Sequence, residues 1–200
     1  MELDELKNAW ASIDERLKEN EMLNKRMIQE MLSSKSNKSL NKLVNTEIFN
    51  IISLLLVIPI CIWILYYRTG NFLSLKILFV IIIAVSVLGI VWGGYTLKKY
   101  LLKIDLSNSI KDNMHYMNKF TIYYRKGKML NYYIIIPVFS LLGILAYYEL
   151  KAPFYMWIFL FVVLTSAIIF TYWIYKKVYD TNIESINNSL EELQELKEEQ

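Results

Sequence analysis

Four stretches of the chain, 48–67, 75–97, 129–148 and 154–175, run for about twenty residues each without Asp, Glu or Arg, and the one Lys among them, Lys76, sits at the lip of the second. Each is the length that crosses a hydrocarbon layer of roughly 30 Å as an α-helix, the conformation that satisfies every backbone hydrogen bond without water. The first holds 13 Leu, Ile, Val or Phe residues. At about −0.3 to −0.6 kcal/mol each near a helix centre, these favour insertion by several kcal/mol. The third, with ten, inserts least strongly. Composition points the same way: 55% of the residues are apolar, above the roughly 45–50% of soluble domains. The expected fold class is therefore all-α, an integral membrane protein with four transmembrane helices as two hairpins and amphipathic cytoplasmic helices at both termini. The first apolar run begins only at Ile48, behind a long charged segment. No cleavable signal peptide is expected, and the first span serves as its own insertion signal.

The aromatic residues band where interfaces should be. Trp63, Tyr66, Tyr67, Tyr147, Tyr148 and Trp157 fall at one side, and Trp92, Tyr95, Tyr132, Tyr133, Tyr172 and Trp173 at the other, the headgroup level that amphipathic rings prefer. Orientation follows from Lys and Arg. Residues 1–46 carry eight, 98–128 eight and the tail three, against one each in the turns at Arg68 and Lys151. Both termini and the central loop are placed in the cytoplasm, and the two short turns leave nothing sizeable outside.

The expected organisation is a cytoplasmic amphipathic helix over 1–32, a polar linker over 33–46, a membrane domain over 47–175 with the loop 98–128 inside it, and an acidic amphipathic tail over 176–200. The two hairpins look alike. Each first span carries a proline, Pro59 or Pro137, and ends in Tyr-Tyr, and each second span exits through a Lys pair. A duplicated hairpin and chance likeness of apolar sequence both fit. The prolines read either as tolerated bends or as kinks that shape a cavity or hinge. Gly89 and Gly93 form a small-xxx-small pattern that lets another helix approach closely, within the bundle or in a homo-oligomer.

In the first segment Leu3, Leu6, Trp10, Ile13 and Leu17, then Met27 and Met31, alternate three- and four-residue spacings, interrupted by Asn20 and Asn24. This is a heptad-like stripe on one amphipathic helix. Its polar face is mixed, eight basic against eight acidic residues through position 46, and lacks the cationic excess that anionic lipid attracts. The stripe either packs on this protein's own loop and tail or takes a foreign protein. The run Ser33–Ser39 breaks the pattern and reads as linker. In the central loop Leu102, Leu106, Ile110, Met114 and Met117 recur at helical spacing, which predicts an amphipathic helix prolonging the second span. The tail repeats the pattern with Tyr179, Ile183, Ile186, Leu190 and Leu193 and ends acidic. Basic loop and acidic tail invite contact, although the positive-inside rule accounts for the loop alone.

Motifs of chemistry are missing from the sequence. One histidine, His115, and one cysteine, Cys61, supply no metal-ligand cluster, and neither GxSxG nor GxxxxGK occurs. No catalytic residue, cofactor or metal is expected, and a net charge of +3 gives no reason to expect nucleic-acid binding. Coupled transport usually shows an acid or base within a span. The polar residues noted there, such as Ser53, Ser86, Ser140 and Thr165, can bond back to their own helix.

The opening Glu2-Leu-Asp-Glu-Leu-Lys-Asn-Ala-Trp10, followed by Ile13-Asp-Glu-Arg-Leu17, resembles the start of a family of small bacterial multi-pass membrane proteins, some of them neighbours of extracytoplasmic-function sigma factors. The resemblance implies the bacterial inner membrane and a membrane-bound anti-sigma role. It comes without the His-x3-Cys-x2-Cys zinc motif of anti-sigma domains. The reading expected is a membrane-tethered regulatory or scaffolding protein, not an enzyme, that binds a cytoplasmic protein such as a sigma factor through Leu6, Trp10, Ile13 and Leu17. The alternative is a subunit of a small oligomeric transporter or channel.

Overall fold

The computed structural model describes residues 3–67, 69–70, 72–105, 109–151 and 153–198, with side chains from Trp10 onward apart from residue 11. Every regular element among them is helical, and four helices are long and apolar enough to cross a membrane.

Helix α1 is a single rod, Leu3–Tyr67, of 65 residues, or roughly 100 Å at 1.5 Å per residue. Here the expected polar linker over 33–46 is corrected, because those residues are helix throughout. Their small polar side chains form a seam. Ser36 and Ser39 are buried with Leu32, Leu40 and Leu43, and Ser39 Oγ donates to Ser185 Oγ of the tail at 3.1 Å. Serine resembles linker composition, but on one helix face it lets a second helix come close, and that neighbour, absent from local sequence, decides the outcome.

The chain turns at Gly70, whose φ of +49° suits a residue without Cβ, and returns as α2, Leu73–Lys99. Helix α2 runs antiparallel along α1: a Cβ at Gly89 would meet Leu54 Cδ1 at 2.9 Å, and one at Gly93 would meet Ile51 Cγ1 at 3.4 Å. The expected prolongation of this helix through the central loop is also corrected. α2 stops at Lys99, a 3-10 turn covers Leu101–Lys103, and a new helix α3 begins at Ile110. Asn113 closes the corner, its Oδ1 accepting from the Asp105 amide at 3.1 Å and its Nδ2 donating to the Asp105 carbonyl at 2.7 Å. Leu106 lies outside the described residues.

It is the third apolar segment that the loop helix prolongs. Helix α3, Ile110–Leu130, passes through a π-helical turn, Asn131–Ile135, into α4, Ile136–Glu149. Pro137 explains the position of that turn: it has no N–H to give, and the Ile136 amide reaches back five residues to the Asn131 carbonyl. Pro59, by contrast, sits inside α1 without ending it. The last rod repeats the device, with α5 at Phe154–Ile174, a π turn at Tyr175–Asp180 and α6 at Thr181–Glu198.

The core lies outside the apolar stretches. Leu40 and Leu43 of α1, Tyr100, Leu101 and Ile104 of the corner, Met117 and Phe120 of α3, and Tyr179, Ile183, Ile186 and Leu190 of the last rod form one buried cluster. Helix α6 lies against both α1 and α3, α2 touches α4, and α5 touches its hairpin partner α4 only sparsely. No described residue of α5 is buried. The two hairpins therefore differ in packing, the first closely joined at its glycines and the second loose.

Candidate functional site

Beyond the last described turn of α6, helix α1 continues with most of its described side chains exposed. Arg26, Gln29, Ser33 and Asn37 lie beside Leu193 and Lys197 in a shallow cleft at that end, and residues N-terminal to it extend by roughly 30 Å at 1.5 Å per residue. The stripe is uncovered: Trp10 is 66% exposed, Leu17 61%, Met27 60% and Met31 64%, and Ile13 is exposed as well. Leu6 belongs to the same helix, but its side chain lies outside the described residues. The arm is held helical by local means, with Asp14–Lys18 at 3.2 Å and Glu21–Lys25 at 3.5 Å as i,i+4 pairs. Of the two expectations for the stripe, packing on the protein's own loop and tail is not seen among its described side chains, Trp10 to Met31. The loop and tail pack on Leu32, Ser36, Ser39, Leu40 and Leu43 instead.

A second constellation sits where the charged parts of the helices meet the apolar ones. Asn50 Nδ2 donates to the Tyr179 hydroxyl at 2.8 Å, and Tyr179 donates to the Glu47 carboxylate. Burial pushes the Glu47 carboxyl above its usual range, with the Tyr179 hydrogen bond opposing in part. Tyr124 donates to Asp180 Oδ1 at 2.9 Å, and Lys128 Nζ donates to Asp180 Oδ2 at 2.8 Å. Asn131 Nδ2 reaches the Tyr175 hydroxyl at 2.9 Å, while the Tyr124 and Tyr179 rings stack with centroids 4.9 Å apart. Burial raises both of those tyrosine hydroxyls, and the carboxylates they face raise them further. The network joins α1, α3 and the two π turns, so three rods are pinned at one level. Loop and tail do meet, through the Lys128–Asp180 ion pair and much apolar contact. Sequence reasoning passed over Glu47, Asn50 and Asn131. The available signal was an amide inside each of two otherwise charge-free stretches, and an acid directly before the first.

At the opposite ends of the apolar helices, Glu149 caps α2. Its Oε1 accepts from the Leu73 amide at 3.0 Å, and its Oε2 accepts from the Ser74 amide at 2.8 Å and from the Ser74 hydroxyl. The Ser74 hydroxyl, then the Ser74 and Leu73 amides, hold this carboxyl below its usual range. One hairpin's acid thus ties down the other hairpin's helix start, where the dipole favours a negative charge. Gly89 and Gly93 both face α1, whereas Gly94 has nothing within 4 Å. Cys61 is buried in the apolar half of α1 and His115 lies exposed on α3. Among the described residues no group of three or more His, Cys, Asp or Glu could hold a metal ion. No protein-family model, curated protein or solved structure matches the chain, so its function is read from its own geometry.

Proposed function

We propose that this chain is a multi-pass protein of the bacterial cytoplasmic membrane, both termini inside, that acts as a tethered regulatory or scaffolding protein by docking another protein on its N-terminal arm. One observation carries the reading: the apolar stripe Trp10, Ile13, Leu17, Met27, Met31 is exposed on a helix whose first buried residue among the described side chains is Leu32. An isolated helix in water gains nothing from a row of large apolar residues, and Trp is prominent among interface anchors. The mixed charge of the arm favours protein over lipid as the surface it meets. Among soluble proteins, the resemblance of residues 2–17 names a sigma factor, with an anti-sigma role for the chain. Substituting Trp10→Ala or Leu17→Glu in the full-length protein is expected to abolish capture of the partner, with membrane insertion and protein level unchanged. Undiminished capture by both variants overturns the reading.

The transporter or channel reading gains support from one feature, the raised, half-buried Glu47 beside Asn50 and Tyr179 at the margin of the first apolar stretch. Ionisable groups so placed commonly serve ion pathways. Flux into proteoliposomes that is lost in Glu47→Gln would favour that reading over the docking arm.

A further inference from the structure

We propose that the occupant of the arm is a second copy of this chain, the two N-terminal helices forming a parallel, in-register coiled coil. The inference rests on the reading of the arm as a docking surface and names what docks there.

The spacing of the stripe is strictly three and four from residue 3 to residue 31, which makes Leu3, Trp10, Leu17, Asn24 and Met31 the a positions of a heptad. Leu6, Ile13, Asn20 and Met27 are then the d positions. The two asparagines that interrupt the apolar pattern thus fall on the seam itself. An amide there costs stability but fixes register and partner number, because it must meet another amide across the seam. A second copy supplies that amide by symmetry.

Charge gives an independent test of register. In a parallel pair each g position faces the e position five residues on in the other chain, which sets Glu2 against Lys7 of the second copy, Ala9 against Asp14, Arg16 against Glu21, Leu23 against Ile28, and Glu30 against Lys35. The three pairings of opposite charge attract, Ala9 leaves Asp14 without a charged partner across the seam, Leu23 with Ile28 is apolar, and the six side chains of the last three pairs are exposed. Glu21 also meets Lys25 of its own helix at 3.5 Å, which leaves its second oxygen for Arg16.

The fold supplies the geometry. The face of α1 that packs on α6, marked by Leu32, Ser36, Ser39, Leu40 and Leu43, points roughly 150° around the helix from Met27 and Met31 at 100° per residue. A second helix can follow the stripe without displacing the tail. Two copies inserted the same way send their arms out of one face in one direction, and the arm is continuous with the first apolar helix, so parallel in-register pairing needs no rearrangement.

The experiment uses full-length chains with Cys61→Ala and one new cysteine each, oxidised in native membranes. Asn24→Cys at a and Asn20→Cys at d are expected to form about tenfold more covalent homodimer than Glu15→Cys at the outer f position. Arg16→Glu combined with Asn24→Cys should lower that yield several-fold, and adding Glu21→Arg should restore it. Equal yields at the three positions, or none at any, overturn the pairing. A photo-crosslinker at Trp10 separates the two failures. Adducts with a different protein and no homodimer refute the second copy but leave the docking arm standing, while no protein adduct together with no disulfide removes both.

Discussion

At the residue scale, burial divides the apolar side chains into two kinds that hydropathy treats alike. Ile186 and Leu43 are fully buried between helices, and truncating either to Ala should cost about 2–5 kcal/mol through lost transfer energy and the cavity left behind. Trp10 is the larger residue, yet Trp10→Ala should change stability by no more than about 0.5 kcal/mol, because little of it leaves water in this fold. Thermal unfolding of the three detergent-solubilised variants, dilute enough to be monomeric, checks both statements, and a large loss in monomeric Trp10→Ala would place the arm in the core. Glu47 gives a pH dependence. Its pKa is raised in the folded chain, so folding favours the protonated form. The penalty is absent well below the ordinary carboxylate pKa of 4.5, grows as pH rises through that value to the raised one, and is complete above it. Glu47→Gln should therefore stabilise the protein at neutral pH and remove part of the loss seen between acid and neutral solution. A midpoint that responds to pH as the unsubstituted chain does would contradict the burial of this carboxyl.

At the element scale, the glycines of α2 make a paired prediction. Gly89→Ala places a methyl group 2.9 Å from Leu54 Cδ1 and should loosen the α1–α2 hairpin, whereas Gly94→Ala meets nothing within 4 Å and gains helix propensity. Opposite shifts in thermal midpoint are expected, and equal shifts would displace α1 from this face. The apolar stretches and their lengths were legible in the sequence because hydropathy over twenty residues depends on no neighbour. The stripe of the tail was legible for a similar reason, as 3.6-residue periodicity in Ile183, Ile186 and Leu190 reports burial directly. Residues 33–46 were not legible. Ser36 and Ser39 are small because α6 lies against them, and composition cannot distinguish a seam from a linker. Amide hydrogen exchange separates the two: slow, continuous exchange across 33–46 is expected of helix α1, and fast exchange of a linker. The break after Lys99 was hidden likewise, since helical spacing continues through Leu102 and Ile110 while the corner depends on Asn113 eight residues beyond Asp105.

At the scale of the whole molecule, the fold separates a part that holds itself together from a part that does not. Helices α3, α6 and the lower half of α1 enclose the core next to the apolar rods, and the polar network of Glu47, Tyr179, Tyr124 and Asp180 joins the two regions. The projecting arm adds no buried residue before Leu32 among the described side chains. Removing residues 1–25 should leave the thermal midpoint of the monomeric chain unchanged and abolish partner capture. Removing 1–40 should unfold the buried core, because Leu32, Ser36 and Leu40 go with it. The central claim is that the exposed stripe of the arm is a protein-docking face, whichever protein fills it. A photo-crosslinking residue placed singly at each position from Trp10 to Met31 in intact cells tests this most directly. The account predicts protein adducts at Trp10, Ile13, Leu17, Met27 and Met31, and none at Glu15, Glu19 and Arg26. Adducts without that periodicity, or none along the whole arm, would contradict it.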